Sequence, residues 1–214
     1  MTPPLMKKRS FLRSGEGAIA SYSWTDMAEA TGKVFYYLCS THTDASDDYI
    51  LTGVNLKSHD IRTDVTTVNV AYTKIIDFDF DLLFNVPVRI RGVANASIST
   101  ALHNVANAGL YAIVKLRKWD GASETEIADG QSKNLSTAGG VVQKVFLLDI
   151  DLSTITEINV GDTLRVTVEI WAICPANTTT GSLMHDPADR DSTFLGTAID
   201  TTQSYVTIPF ILDL

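Results

Sequence analysis

Between the turn Asn159-Val160-Gly161-Asp162 and Pro175 the chain alternates almost without interruption. Leu164, Val166, Val168, Ile170, Ala172 and Cys174 fall on one side, and Thr163, Arg165, Thr167 and Glu169 on the other. A period of two belongs to a strand, not a helix. The stretch Gly161 to Ala176 therefore reads as one long strand with an apolar face, in the middle of a sheet that covers a core. Trp171 and Ile173 break the polar side, which implies that the outer face is partly covered as well, by core or by a subunit contact.

The rest of the chain supplies more strands. Gly17 to Trp24, Lys33 to Ser40, Tyr49 to Val54, Val65 to Tyr72, Ile76 to Phe84, Val86 to Gly92, Leu110 to Trp119, Val141 to Leu152 and Ser204 to Leu214 are apolar or alternating runs between turn signals such as Asp120-Gly121 and Gly139-Gly140. Thr25 to Ala30 offers one helical turn ended by Gly32, and Ser97 to Gly109 is ambiguous. In Ile76 to Phe84 the carboxylates Asp77, Asp79 and Asp81 all leave by the face opposite the core, where Arg89 and Arg91 are expected across from them in an antiparallel pair. Thr41 to Asp48, Asn55 to Asp64 and Asn177 to Asp191 read as polar loops.

Roughly nine or ten strands without crossover helices mean antiparallel pairing, and long connections favour Greek-key returns. The expected fold is all-β, an antiparallel two-sheet β-sandwich of jelly-roll type or a related sandwich. At 214 residues one domain is the default, spanning 17–214 behind a flexible basic arm, 1–16. Phe210-Ile211-Leu212 at the end reads as core.

Charge divides along the same boundary. Lys7, Lys8, Arg9 and Arg13 against Glu16 give the arm +3, leaving 13 basic and 24 acidic side chains, or −11, for the body. Such a body repels nucleic acid. No run approaches the ~18 apolar residues of a membrane span, and the N-terminus has no apolar segment after its basic residues, so neither membrane nor secretion signal is expected. Three Asn-x-Ser/Thr triplets, at Asn95, Asn134 and Asn177, then read as chance. Cys39 and Cys174 read as buried free thiols.

Candidate chemistry is sparse. His42, His59, His103 and His185 are scattered, with no pair at ligand spacing and no cupin-like cluster, and neither a nucleophile elbow, a Walker loop nor a dinucleotide glycine pattern occurs. The chain is read as no enzyme and as needing no cofactor. The best acidic clusters, Asp44, Asp47 and Asp48 with Asp186, Asp189 and Asp191, are calcium candidates weighed against plain solvated acids. Lys7, Lys8, Arg9, Arg13, Trp171 and Ile173 are the interface candidates, and Trp24, Trp119 and Trp171 a candidate sugar platform.

Ser23-Trp24-Thr25-Asp26-Met27-Ala28-Glu29-Ala30-Thr31-Gly32 with Val34-Phe35-Tyr36-Tyr37, Gly161 to Val166 leading to Glu169-Ile170-Trp171, and Ser204 to Phe210 together resemble jelly-roll structural proteins of tailed viruses (bacteriophages). The resemblance implies a capsid decoration or cement protein, self-associating as a homotrimer, made in the host cytoplasm and docked on the capsid exterior against the major capsid protein or another virion protein. The alternative is a carbohydrate- or receptor-binding jelly-roll module of a viral fibre or spike.

Overall fold

The computed structural model describes residues 12–13, 16–17, 20–21, 31–43, 46–104, 108–137 and 139–211. Fifteen strands follow in order: β1 Leu12–Arg13, β2 Glu16–Gly17, β3 Ala20–Ser21, β4 Thr31–Thr43, β5 Ser46–Thr52, β6 Arg62–Leu83, β7 Val88–Asn104, β8 Ala108–Trp119, β9 Glu124–Gln131, β10 Leu135–Thr137, β11 Gly140–Ile158, β12 Thr163–Met184, β13 Thr193–Phe194, β14 Thr197–Ala198 and β15 Tyr205–Ile211. The chain is all-β, and among the described residues the pairings are antiparallel except for one parallel bridge, Ile50 to Asp81, between β5 and β6.

The expected organising strand lies at the centre. Leu164, Val166, Val168, Ile170, Ala172 and Cys174 are fully buried. β12 has β8 on one side and β6 on the other, giving a first layer β9-β8-β12-β6. The second layer runs β11-β7-β15-β4-β5. Between them pack Phe80, Leu82, Ile90, Ile98, Leu116, Ile150, Val206 and Ile208, all less than 4 % exposed. Eight such side chains stabilise the fold by about 2 kcal/mol each relative to exposure.

The two layers are hydrogen-bonded to each other because β6 and β12 are both 22 residues long and bend from one into the other. The first part of β12 pairs with β8, while Thr180 to Leu183 pair with β7. The sandwich is thus a flattened barrel whose remaining seam lies between β9 and β11. There a Cβ on Gly130 would come within 2.9 Å of the Asp149 carbonyl oxygen, so the absence of a side chain permits the close approach.

Several expectations are corrected. Asp77, Asp79 and Asp81 do not face Arg89 and Arg91: β6 pairs with β12, so Asp81 faces Arg165, and Arg89 faces Glu157 of β11. A short turn does not oblige neighbouring runs to pair when longer partners are available. Thr41 to Asp48 is the tip of the β4–β5 hairpin, not a loop. Asn177 to Met184 continues β12. Pro175, lacking an N–H, falls where the ladder is interrupted between Cys174 and Thr179, and the strand continues past it. Val65 to Tyr72 and Ile76 to Phe84 are one strand, as are Val88 to Gly92 and Ser97 to Asn104. β9, too polar to read as a strand, went unpredicted.

The helical turn at Thr25 to Ala30, Trp24, Asp44, Lys7, Lys8, Arg9 and Leu212 lie outside the described residues, and of Arg13 only the backbone, paired with Glu16 in β1–β2, is described. Cys39 and Cys174 are both buried. Among the described residues, no helix is long and apolar enough to cross a membrane.

Candidate functional site

Where β5 lies against β6 through the single parallel bridge, the layers part into an open groove of about 520 Å³. Its walls carry Asp47 and Asp48 from β5, Asp77, Asp79 and Asp81 from β6, and Arg165 from β12, with Tyr49 and Phe78 in the floor. The last two rings stack at 4.2 Å and 16°. Period two explains why three aspartates line up: their neighbours Ile76, Phe80 and Leu82 are buried.

The charges beside the groove form cross-strand rows over β6, β12 and β8. Arg165 binds Asp81 bidentately, through Nε at 2.8 Å and Nη2 at 2.9 Å, and reaches Glu124 on β9 at 3.0 Å. These bonds push the Arg165 guanidinium further above its ordinary range. Thr167 donates to Asp79 at 2.6 Å. One row on, Glu169 is nearly buried. It accepts from Lys115 Nζ at 2.9 Å and Trp171 Nε1 at 2.9 Å, with Lys74 at 3.5 Å. Burial raises the Glu169 carboxyl, but these donors outweigh it and hold the group below its usual range. Lys74 also pairs with Asp77.

Trp171, an interface candidate, continues the row. Its ring lies parallel to Tyr111 at 6.0 Å, and Tyr72 tilts against Tyr111 at 5.0 Å. Ile173 is half-buried on the same side. Trp119 is at the far end, under the Arg165 guanidinium at 5.9 Å. The two described tryptophans thus share a face, each already covered on one side.

The aspartates considered for calcium separate into unlike surroundings. Asp186 is fully buried: Oδ2 accepts from Arg190 Nε and N–H, and Oδ1 from the Ser58 N–H. Burial would raise its carboxyl, yet the arginine and the two backbone donors lower it. Asp189 accepts from the Thr202 N–H at 2.6 Å and the Thr201 hydroxyl at 3.0 Å. Asp191 is exposed. Asp48 stands on the groove wall, and Asp47 faces His42 and His59. The five described ones do not converge on one point, since Asp186 and Asp189 already point into protein donors.

His185, read as a loop residue, is buried between Ser58 and Thr63. Its Nε2 lies 3.0 Å from the Thr63 hydroxyl and its Nδ1 3.4 Å from that of Ser58. Burial depresses its pKa to about 4. His103 is half-buried on β7, apart from the others, and its carbonyl accepts from Thr179. His42 and His59, 17 positions apart, stack at 4.6 Å. The signal for the first half of that meeting was present: His42 and Asp47 flank a short turn and face each other across the hairpin. Nothing in the sequence placed His59 beside them.

No family model matches the chain, and no curated protein matches its sequence. Solved structures do resemble it. An aminopeptidase from a marine sediment Thaumarchaeota archaeon aligns with TM-score 0.50 at 10% identity, covering 82% of this chain and 36% of that one. A CocE/NonD family hydrolase from Staphylococcus aureus aligns at 0.43 and 11% identity, again over 82% of this chain and 36% of that one. Infectious bursal disease virus, Gx strain, aligns at 0.28 and 10% identity over 85% and 47%. The chain therefore spans about a third of these hydrolases and about half of the viral chain. Identities this low establish the fold alone. They nevertheless correct the expectation that the chain is no enzyme: its architecture occurs within hydrolases, so the sparse motifs do not separate it from enzymes.

Proposed function

We propose that the chain is a structural jelly-roll protein that self-associates and docks on a virion surface as a capsid decoration or cement protein. The observation that carries the reading is charge complementarity within one sequence. The groove presents five aspartates against one arginine, and the arm contributes Lys7, Lys8, Arg9 and Arg13. The arm of one subunit occupies the groove of the next, a head-to-tail contact that closes into a ring of three. Trp171 and Ile173 on the neighbouring outer face add apolar area to the contact. The resemblance to tailed-virus proteins, which rests on the residues quoted for it, supplies the capsid as the surface to be dressed.

Light scattering on the whole chain tests this. Three copies of 23.3 kDa give about 70 kDa, falling to monomer when residues 1–13 are removed, when Asp48 and Asp77 are both changed to lysine, or in about 0.5 M salt. A monomer at every concentration and salt refutes the reading.

The Tyr72–Tyr111–Trp171 cluster favours a second reading, a glycan-binding module of a fibre or spike. Hits on a glycan array that disappear in Trp171→Ala support it, and an empty array removes it.

A further inference from the structure

At the rim of the groove three donors remote in sequence come together. His42 on β4 and Asp47 on β5 are cross-strand partners, with Nδ1 and Oδ1 2.9 Å apart. His59, from the connection 53–61, brings its Nδ1 to 3.8 Å from the same oxygen and 3.4 Å from Asp60 Oδ2. The three donor atoms of His42, Asp47 and His59 all lie within 4.8 Å of one another.

We propose that His42, Asp47 and His59, with Asp60 beside them, bind a divalent transition metal of the zinc class. Ligand bonds of about 2.1 Å separate tetrahedral donors by about 3.4 Å. The separations of 2.9 and 3.8 Å straddle that value. Two imidazoles select zinc, nickel or copper over calcium, which requires six to eight oxygens. The rings are near parallel, 17° apart, so both side chains turn out of the stack to aim their lone pairs at one ion. They have room, being 51% and 47% exposed.

The backbone beneath them is fixed. The His59 N–H donates to the Ser40 carbonyl at 2.8 Å, and the Asp60 N–H to the Ser40 hydroxyl at 3.1 Å. The Ser40 N–H donates to the Ser58 hydroxyl at 2.7 Å. Ser58 in turn is held by buried Asp186 through its N–H and by Arg190 through its carbonyl. Ser40 thus pins the loop two residues before His42 on the same strand, so the second histidine is positioned by buried polar bonds and not by the exposed stack.

The proposal shares Asp47 with the assembly reading but does not rest on it. Isothermal titration of the untagged whole chain with zinc chloride is expected to show one ion per chain. His42→Ala and His59→Ala each weaken binding at least tenfold, Asp47→Asn also weakens it, and His103→Ala leaves it unchanged. Thermal melts of the metal-free variants confirm that each is folded. Imidazole nitrogen shifts of His42 and His59 in the NMR spectrum move on zinc addition. Absence of saturable uptake, uptake that survives both histidine variants, or equal uptake of calcium overturns the proposal.

Discussion

His185 makes stability depend on pH in a calculable way. The imidazole is fully buried, touching the Ser58 and Thr63 hydroxyls, with Tyr49 edge-on at 5.8 Å. Its pKa falls from 6.5 to about 4 on folding because burial disfavours the cation. The unfolded chain therefore takes up the proton first. Stability from the neutral ring is complete above pH ~6.5 and declines as the pH falls toward 4, below which the loss is constant. With these two values the loss is about 2 kcal/mol at pH 5 and about 3 kcal/mol at pH 4. Urea unfolding between pH 7.5 and 4 measures it, and His185→Gln supplies the comparison, since a glutamine keeps polar partners without titrating. Carboxylates titrate in both proteins, so the difference in slope isolates the histidine. Equal slopes for the two proteins between pH 6.5 and 4 would refute the reasoning, whatever the variant costs at pH 7.5.

Other perturbations follow from single contacts. Gly130→Ala places a methyl 2.9 Å from the Asp149 carbonyl and 3.0 Å from Ile150 Cγ1, so β9 and β11 separate, with a loss of about 1–3 kcal/mol and a lower Tm. Glu169→Ala strands Lys115 and Trp171 Nε1 at once and leaves Lys74 with Asp77 alone, at a cost of about 2 kcal/mol in urea unfolding. The loss is smaller in Glu169→Gln, which still accepts a bond.

Legibility in the sequence followed periodicity. β12 declared itself because one face is uniformly apolar, and the all-β class followed from similar runs. Partner choice was not legible: Asp81 meets Arg165, 84 positions away, and not the nearby Arg89, because pairing depends on which long strands share a layer. β9 was hidden by its composition, ETEIADGQ, which suits an edge strand with little core to cover. The histidines looked unrelated because the contact between His42 and His59 runs through a loop held by Ser40 and Ser58, a side-chain arrangement with no periodic trace. His185 does lie in a loop, just past the end of β12, but its burial left no local mark, because a polar stretch can be buried when every group has a partner and those partners are three-dimensional in origin.

Arg190 carries the same argument to its opposite sign. It supplies the only cationic side chain bonded to Asp186 among the described residues, and that carboxylate is fully buried. In Arg190→Met the carboxylate loses its counter-charge but keeps the N–H donors of Ser58 and residue 190. The site escapes an unpaired buried charge by taking up a proton, so the carboxyl moves up from the position in which the arginine holds it, at a cost of about 3–5 kcal/mol. Because the folded pKa then exceeds the unfolded one, acidification toward pH 4 restores the stability that was lost, the reverse of His185. The Arg190→Met, Asp186→Asn double variant has no charge to rescue, and its stability relative to wild type should not recover on acidification. Ser58 joins this pair to the loop bearing His59, so Arg190→Met is also expected to weaken zinc binding at pH 7. A single-variant defect that is flat with pH would mean that the buried carboxylate is stabilised by its backbone donors alone, and that the arginine is dispensable to the loop.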